Sequence, residues 1–137
     1  GRGSLRDQIP ASDKIIVNDF LQPAELTEKY QTAKVFILAS LEEHWGVVVH
    51  EAALAGCVML LSDKVGAAPD FLTKTNGGTF NPKSVDAITR AMDKVMQWTP
   101  AQFDVAQTET LDLSKHFGGE VFAESAISIA KRLGVLS

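Results

Sequence analysis

The sequence predicts an α/β protein: a Rossmann-like, three-layer arrangement around a parallel sheet, followed by a C-terminal run of helices. Three observations carry that expectation. Val35-Phe36-Ile37-Leu38-Ala39 and Cys57 to Leu61 are continuous apolar runs without polar alternation, as in strands covered on both faces. The stretch between them has the length and alanine content of a helix. Strand and helix then keep alternating until Ser84, which argues for layers of helix on sheet.

Taken in order, residues 1–12, opening Gly-Arg-Gly-Ser, read as a disordered or cloning-derived lead-in, and residues 13–137 as one partial domain. Ile15–Phe20 (IIVNDF) reads as a short strand. Pro23 suits a first helical position, and Ala24–Ala33 is a predicted helix with Leu26 and Tyr30 inward. The run 35–39 is a buried strand ending at Ser40. Val47–Ala55 is a predicted helix stopped by Gly56, against the vote of three successive valines. Residues 57–61 form the next buried strand, ending at Ser62-Asp63. A short helix near Pro69–Thr73, a turn at Asn76-Gly77-Gly78 and a brief strand at Thr79-Phe80 follow. Helices are predicted over Ser84–Trp98, Pro100 to about Leu111 and Gly119–Leu133, with Ser84 and Thr99 as N-caps.

The bulk numbers exclude several functions. A chain of 137 residues fits one domain, and 45% hydrophobic against 22% charged residues supports a core. A net charge of −4 without a Lys/Arg-rich run weighs against nucleic acid or an anionic membrane as partner. The apolar runs are far too short to span a bilayer. No charged-then-apolar leader is visible, so a cytoplasmic protein is expected. The single cysteine, Cys57, sits in an apolar strand and reads as a reduced core thiol rather than a disulfide or metal ligand.

The stretch LEEHWGVVVHEAAL, residues 41–54, carries the chemistry. Glu51 stands in a helix that reads as buried, where a carboxylate is rare without a partner. Glu43 precedes it across the Trp45-Gly46 pair. Ligands of open α/β sheets bind beyond the carboxyl ends of the strands. Ser40–Gly46 is such a loop, and it leads into a helix amino end, where free N–H groups and the macrodipole attract phosphate. Gly46 lets a ligand approach the backbone. Glu51, about one turn inside, has two oxygens to receive a vicinal diol. The residues therefore fit a ribose at Glu51, a pyrophosphate at the amides after Gly46, and Glu43 reaching what lies beyond.

Other features read more plainly. Glu42 is a solvated acid. His50-Glu51 begins like the zinc-protease motif H-E-x-x-H, but Leu54 stands where the second His is needed. His50 reads as packed or capping, and His44 as either a ligand contact or loop surface. Trp45 reads as packing that sets the loop. Gly66-Ala67-Ala68-Pro69 fits a second phosphate or base contact and a plain tight turn equally. Asn76-Gly77-Gly78 has conformational reasons enough for a turn. His116, Met92, Met96 and Trp98 read as core faces. No GxGxxG or P-loop is present, and Ser62-Asp63 lacks a base to make a nucleophile.

FILASLEEHWGVVVHEAALAGCVMLLSD resembles the core of the C-terminal domain of retaining GT-B glycosyltransferases of the group 1, family 4 type. The family's signature is Glu, seven residues, then a second Glu, with an aromatic-Gly pair between and a small-residue run after. Glu43, Trp45-Gly46, Glu51-Ala52 and Ala55-Gly56 match it, and SDKVGAAPDFL and NGGTFNP continue the likeness over residues 15–95. The resemblance implies transfer of a sugar, with retention, from a nucleoside-diphosphate sugar to a sugar or glycan acceptor. It implies no cofactor and no metal. Glu43 would be the catalytic residue, lying against the donor sugar and positioning it, and Glu51 the ribose ligand. Gly46, Val47 and Val48 would meet the diphosphate, with His44 beside them.

The chain departs from the pattern at Ala39 (usually Pro), Gly66-Ala67 (often Gly-Gly), Asp70 (usually Glu) and Asp19 (frequently Gly). These departures bear on donor selectivity, not on class. A "GRL…KG" stretch, which supplies an Arg and a Lys to the diphosphate, does not occur; Arg2 and Arg6 lie in the lead-in. The chain therefore reads as part of a larger enzyme, without an N-terminal acceptor domain or its first two strands, and inactive alone. With strand order 3-2-1-4-5-6, residues 15–20 and 35–39 would be strands with open edges. They are expected to pair with each other or to be completed by another chain, giving self-association. The alternative readings are a nucleotide-binding or interaction module without catalysis, and a small signalling or flavin domain, for which Asp19 alone speaks.

Overall fold

The computed structural model describes residues 3–133. Its helices are α1 (Pro23–Thr32), α2 (Val47–Leu54), α3 (Ala68–Phe71), α4 (Val85–Met96), α5 (Pro100–Ser114) and α6 (Gly119–Arg132). Its strands are β1 (Val35–Leu38), β2 (Val58–Ser62) and β3 (Gly77–Phe80), with 3-10 turns at Arg6–Gln8 and Lys115–Phe117. Among the described residues the strands form one parallel sheet of order β1-β2-β3, in register Val35↔Val58 and Met59↔Gly77.

The central strand explains the fold. Successive side chains of a strand point to opposite faces, so VMLLS, apolar at nearly every position, needs cover on both. Met59 and Leu61 pack with Val49, Ala52 and Ala53 of α2 and Phe71 of α3. Val58 and Leu60 pack with Phe80, Val95 of α4 and Ala106 of α5. All of β2 is buried. Fully burying each of its large apolar side chains stabilises the fold by roughly 1.5–3 kcal/mol.

The caps follow the sequence. Ser84 accepts from the Ala87 amide at 3.2 Å, and Thr99 exchanges bonds with Gln102 ahead of Pro100. At α1, Gln22 and Glu25 cap reciprocally, the Gln22 amide donating to Glu25 at 2.7 Å. Gly56, at φ +74°, takes the left-handed conformation that ends α2. Beneath it lies Leu111, so α5 runs past the amino ends of the strands, opposite the end where their loops open. Asn76, just ahead of β3, reaches Thr110 of the same helix. Helix α6 has no buried residue and exposes Phe122 and Ile129. No helix among the described residues is long and apolar enough to cross a membrane.

Four expectations need correction. Met92, Met96 and His116, read as core faces, are exposed, with Trp98 alone half-buried. Ile15–Phe20 is not a strand, and the pairing expected between 15–20 and 35–39 does not form. β-branched composition favours a pleated, half-buried surface rather than the strand itself. With no ladder beside it, the segment leaves Ile16 and Phe20 largely exposed, and the Ile15 amide turns back to the Ser12 carbonyl. Its local order comes instead from a Ser12–Lys14 turn and an Arg6–Asp19 ion pair. β1 accordingly has a free edge, and Ile37 is 40% exposed rather than covered on both faces. Finally, Gly77 and Gly78 belong to β3 rather than to a turn. A Cβ on Gly77 would sit 1.8 Å from the Met59 carbonyl oxygen, so the glycine marks a close approach of two backbones.

Candidate functional site

Two loops leave the carboxyl end of the sheet, Ser40–Gly46 from β1 and residues 63–67 from β2, and they are stitched together. The Glu43 amide donates to the Lys64 carbonyl at 3.1 Å. The Gly66 amide donates to the Glu43 carbonyl at 2.8 Å, and the Ala67 amide to that of Trp45 at 3.0 Å. A parallel bridge joins Glu43 to Val65. Gly66 makes this approach possible, because a Cβ there would fall 1.8 Å from the His44 carbonyl oxygen. At the root of both loops, the buried Ser62 hydroxyl donates to the Ser40 carbonyl at 2.6 Å and accepts from the Lys64 amide at 3.0 Å.

Gly46 closes the first loop and opens α2. It is buried, at φ +92° and ψ 73°, a conformation L side chains rarely adopt. A Cβ on it would meet Glu43 Cγ and Val49 Cγ2, each at 3.2 Å, so the Glu43 side chain folds directly over the glycine. Its own residue caps α2 with no side chain, and the first turn holds no acid. The Val49 amide already donates to the Gly46 carbonyl at 2.8 Å. The Val47 and Val48 amides precede it at the positive end of the helix, where no intrahelical acceptor exists for them.

Glu51 lies where the sequence puts it along α2, but not in a buried setting. Val49, Ala52 and Ala53 form the buried face, whereas Glu51 shares an exposed stripe with Val47 and Leu54. An outward carboxylate needs no buried partner, and no cation pairs with it among the described residues. Its partner is Tyr30, whose hydroxyl donates to Glu51 Oε2 at 3.5 Å. Burial, then the Glu51 charge and hydrogen bond, push the Tyr30 phenol above its ordinary value. The two residues stand on the wall of a cavity of about 500 Å³ between α1, α2 and the segment at Phe20-Leu21. Leu26 and Leu54 make it mostly apolar. Glu43, Gly46, Val47 and Val48 do not line it.

The structure thus brings Glu43 and Gly46 together, with Val47 and Val48 at the helix entrance and Glu51 a turn further along. His44 is loop surface: its side chain is 93% exposed and 3.9 Å from Glu42. Trp45 packs edge-on against Phe71, its ring centroid 6.4 Å away, and against Phe117 at 5.9 Å. His50 packs on Phe71 and donates through Nε2–H to the Ser114 carbonyl at 3.1 Å, capping α5. Cys57 is a buried free thiol, its pKa raised by burial. Among the described residues no three His, Cys, Asp or Glu side chains converge to hold a metal ion. Sequence reasoning missed Ser62, dismissed for want of a base, although its hydroxyl serves the backbone. Gly66, left between a contact and a turn, proves to be the clamp between the loops.

The sequence profile of the glycosyl transferases group 1 matches residues 4–107. The chain belongs to this family. It is similar to an uncharacterized glycosyltransferase of Methanocaldococcus jannaschii, 24% identical over 139 residues, covering 96% of this chain and 35% of that protein. Among solved structures it is similar to a sucrose-phosphate synthase of Thermosynechococcus elongatus, with TM-score 0.70 and 21% identity over 82% of this chain and 28% of that one. It is similar also to the trehalose-6-phosphate synthase OtsA, with TM-score 0.71 and 22% identity over 84% of this chain and 26% of that one. These likenesses carry the GT-B type of fold, so the Rossmann-like parallel sheet expected for this glycosyltransferase family is borne out. The chain spans between about a quarter and a third of the length of the relatives it matches.

Proposed function

We propose that this chain supplies the donor-binding part of a glycosyltransferase that moves a hexose from a nucleoside-diphosphate sugar to an acceptor with retention. The observation that carries the proposal is the amino end of α2. Gly46 opens it without a capping side chain, Glu43 folds over the glycine, and Glu51 follows one turn on with no cation paired to it among the described residues. As the glycosidic bond to the donor breaks, charge builds on the departing diphosphate. Main-chain donors at Val47 and Val48 and the helix dipole, already oriented, stabilise that charge without reorganising. Glu51 receives the ribose hydroxyls, and Glu43 positions the sugar beyond the phosphates.

Retention and the nucleotide come from relatives. A trehalose-6-phosphate synthase structure is described in terms of glycosyltransfer with retention, and a Burkholderia vietnamiensis trehalose-phosphate synthase as UDP-forming. In our reading transfer needs no metal or cofactor, the acceptor is a sugar or glycan held by a separate N-terminal domain, and this chain alone binds without turnover. A buried reduced Cys57 suits the cytoplasm. The free β1 edge is a place for self-association, which sedimentation at rising concentration tests. The donor assignment is tested by calorimetry with uridine, guanosine and adenosine diphosphates. Glu51→Ala is expected to weaken the nucleotide that binds by about tenfold, the loss of one charge-assisted contact. Unchanged affinity defeats the assignment.

A further inference from the structure

Glu43 is held in an unusual way. Both its main-chain groups are spent on the neighbouring loop, the amide on Lys64 and the carbonyl on Gly66, so its backbone is fixed on either side of Cα. Only side-chain torsions remain, and these lie over Gly46. At their origin the β1–β2 ladder ends at the Leu38–Leu61 pair, and just past it one hydroxyl bridges the two loop roots. Ser62 ends β2, is wholly buried, and holds Ser40, two residues past β1, and Lys64 in the next loop.

We infer that Ser62 is a positioning residue for Glu43, acting through the main chain of the two loops. The inference rests on the donor-site reading for its consequence in binding, though not for the geometry. Ser62 touches no site side chain: its partners are the Ser40 carbonyl and the Lys64 amide. Without the hydroxyl those two groups lose their partner, the roots of the loops separate, and the bonds to Glu43 at 3.1 and 2.8 Å lose their register. A hydroxyl that only filled the core would behave differently. Alanine would then leave the protection of the loop amides as it is, its cost confined to the unpaired Ser40 carbonyl and Lys64 amide.

The test is amide hydrogen exchange on the 137-residue chain, read at Gly66 and Ala67, with Val58 and Met59 of β2 as internal controls. Ser62→Ala is expected to speed exchange at Gly66 and Ala67 by about tenfold while leaving the controls unchanged, and Ser62→Thr, which keeps the hydroxyl, to restore protection. Wild-type protection at Gly66 and Ala67 in Ser62→Ala, or no rescue by Ser62→Thr, overturns the proposal. Should Ser62→Ala lose protection everywhere, Ser62→Cys decides, since its larger sulfur leaves no cavity and weakens both bonds. Selective loss at Gly66 and Ala67 supports positioning, and full protection assigns Ser62 to the core and overturns it. Uridine diphosphate affinity is measured on the same samples and is expected to fall and recover in step. If the wild-type chain binds none while the exchange result holds, the donor reading fails and the positioning of the Glu43 main chain stands.

Discussion

Asn76→Ala removes the side chain that ties the loop before β3 to α5. Asn76 is fully buried, and its amide group is saturated. Nδ2 donates to the Phe71 carbonyl at 2.9 Å and to Thr110 Oγ1 at 3.1 Å, while Oδ1 accepts from the Thr73 amide at 2.8 Å and from its hydroxyl at 3.3 Å. Alanine strands the buried Phe71 carbonyl and the Thr73 amide, at roughly 1–3 kcal/mol for a buried group and less for one that finds water. The vacated volume, roughly 40 Å³, adds about 1 kcal/mol at the usual cavity coefficient. A loss of about 2–4 kcal/mol follows, which for a domain of this size lowers Tm by roughly 6–16 °C. Thr110→Val is the control. It removes one bond from Asn76 and one to the Ala106 carbonyl and keeps the shape, so about 1–2 kcal/mol is expected. The double variant should cost less than the sum, because the two side chains share a bond. Scanning calorimetry decides. A Tm within about 2 °C of wild type for Asn76→Ala would refute the reasoning, since it would mean that the network carries no net stability.

Further predictions concern the site end. Gly66→Ala must move the His44 carbonyl, which stands 1.8 Å from the added Cβ. It is expected to cost about 2–3 kcal/mol as the Gly66 and Ala67 bonds fail, and to weaken nucleotide binding in the same variant; wild-type values of both in a denaturant melt and a binding titration would contradict this. Tyr30 is the sole tyrosine, so absorbance near 295 nm reports it alone. Its midpoint is expected above the ordinary tyrosine value of 10.0 and closer to it in Glu51→Gln, where one of the causes is gone. Because the folded state holds the proton longer than the unfolded chain, Tyr30 makes stability fall as pH rises through 10 toward the folded value, with no effect below that window. Cys57 is buried with its thiol held protonated, so a disulfide reagent should react at the rate of unfolding. Reaction within seconds in native buffer would place the thiol at the surface.

Local signals were legible where local physics decides. Ser84 and Thr99 cap because a hydroxyl before a helical run meets the free amides of that run, and CVMLL is a central strand because nothing in it tolerates water. Gly46 at a strand-to-helix loop pointed to the amino end of α2 for the same reason. The rest depends on groups distant in sequence. Ile15–Phe20 has strand composition, yet no strand forms without a neighbour to take its amides. Residues 47–54 are apolar nearly all round, and composition alone does not reveal that the face at Val47, Glu51 and Leu54 is left uncovered. Gly77-Gly78 looks like a turn until Met59 is placed against it. Ser62 joins the two loops only through Ser40, and Asn76 reaches α5 only through Thr110.

The most direct test of the donor site is a nitrogen-15 amide titration of the chain with uridine diphosphate, and with its guanosine and adenosine counterparts. The account predicts that one of them shifts the Gly46, Val47 and Val48 resonances in a saturable way, and that Glu51→Ala raises the concentration needed. Shifts confined to residues away from the amino end of α2, or none with any of the three, would contradict it.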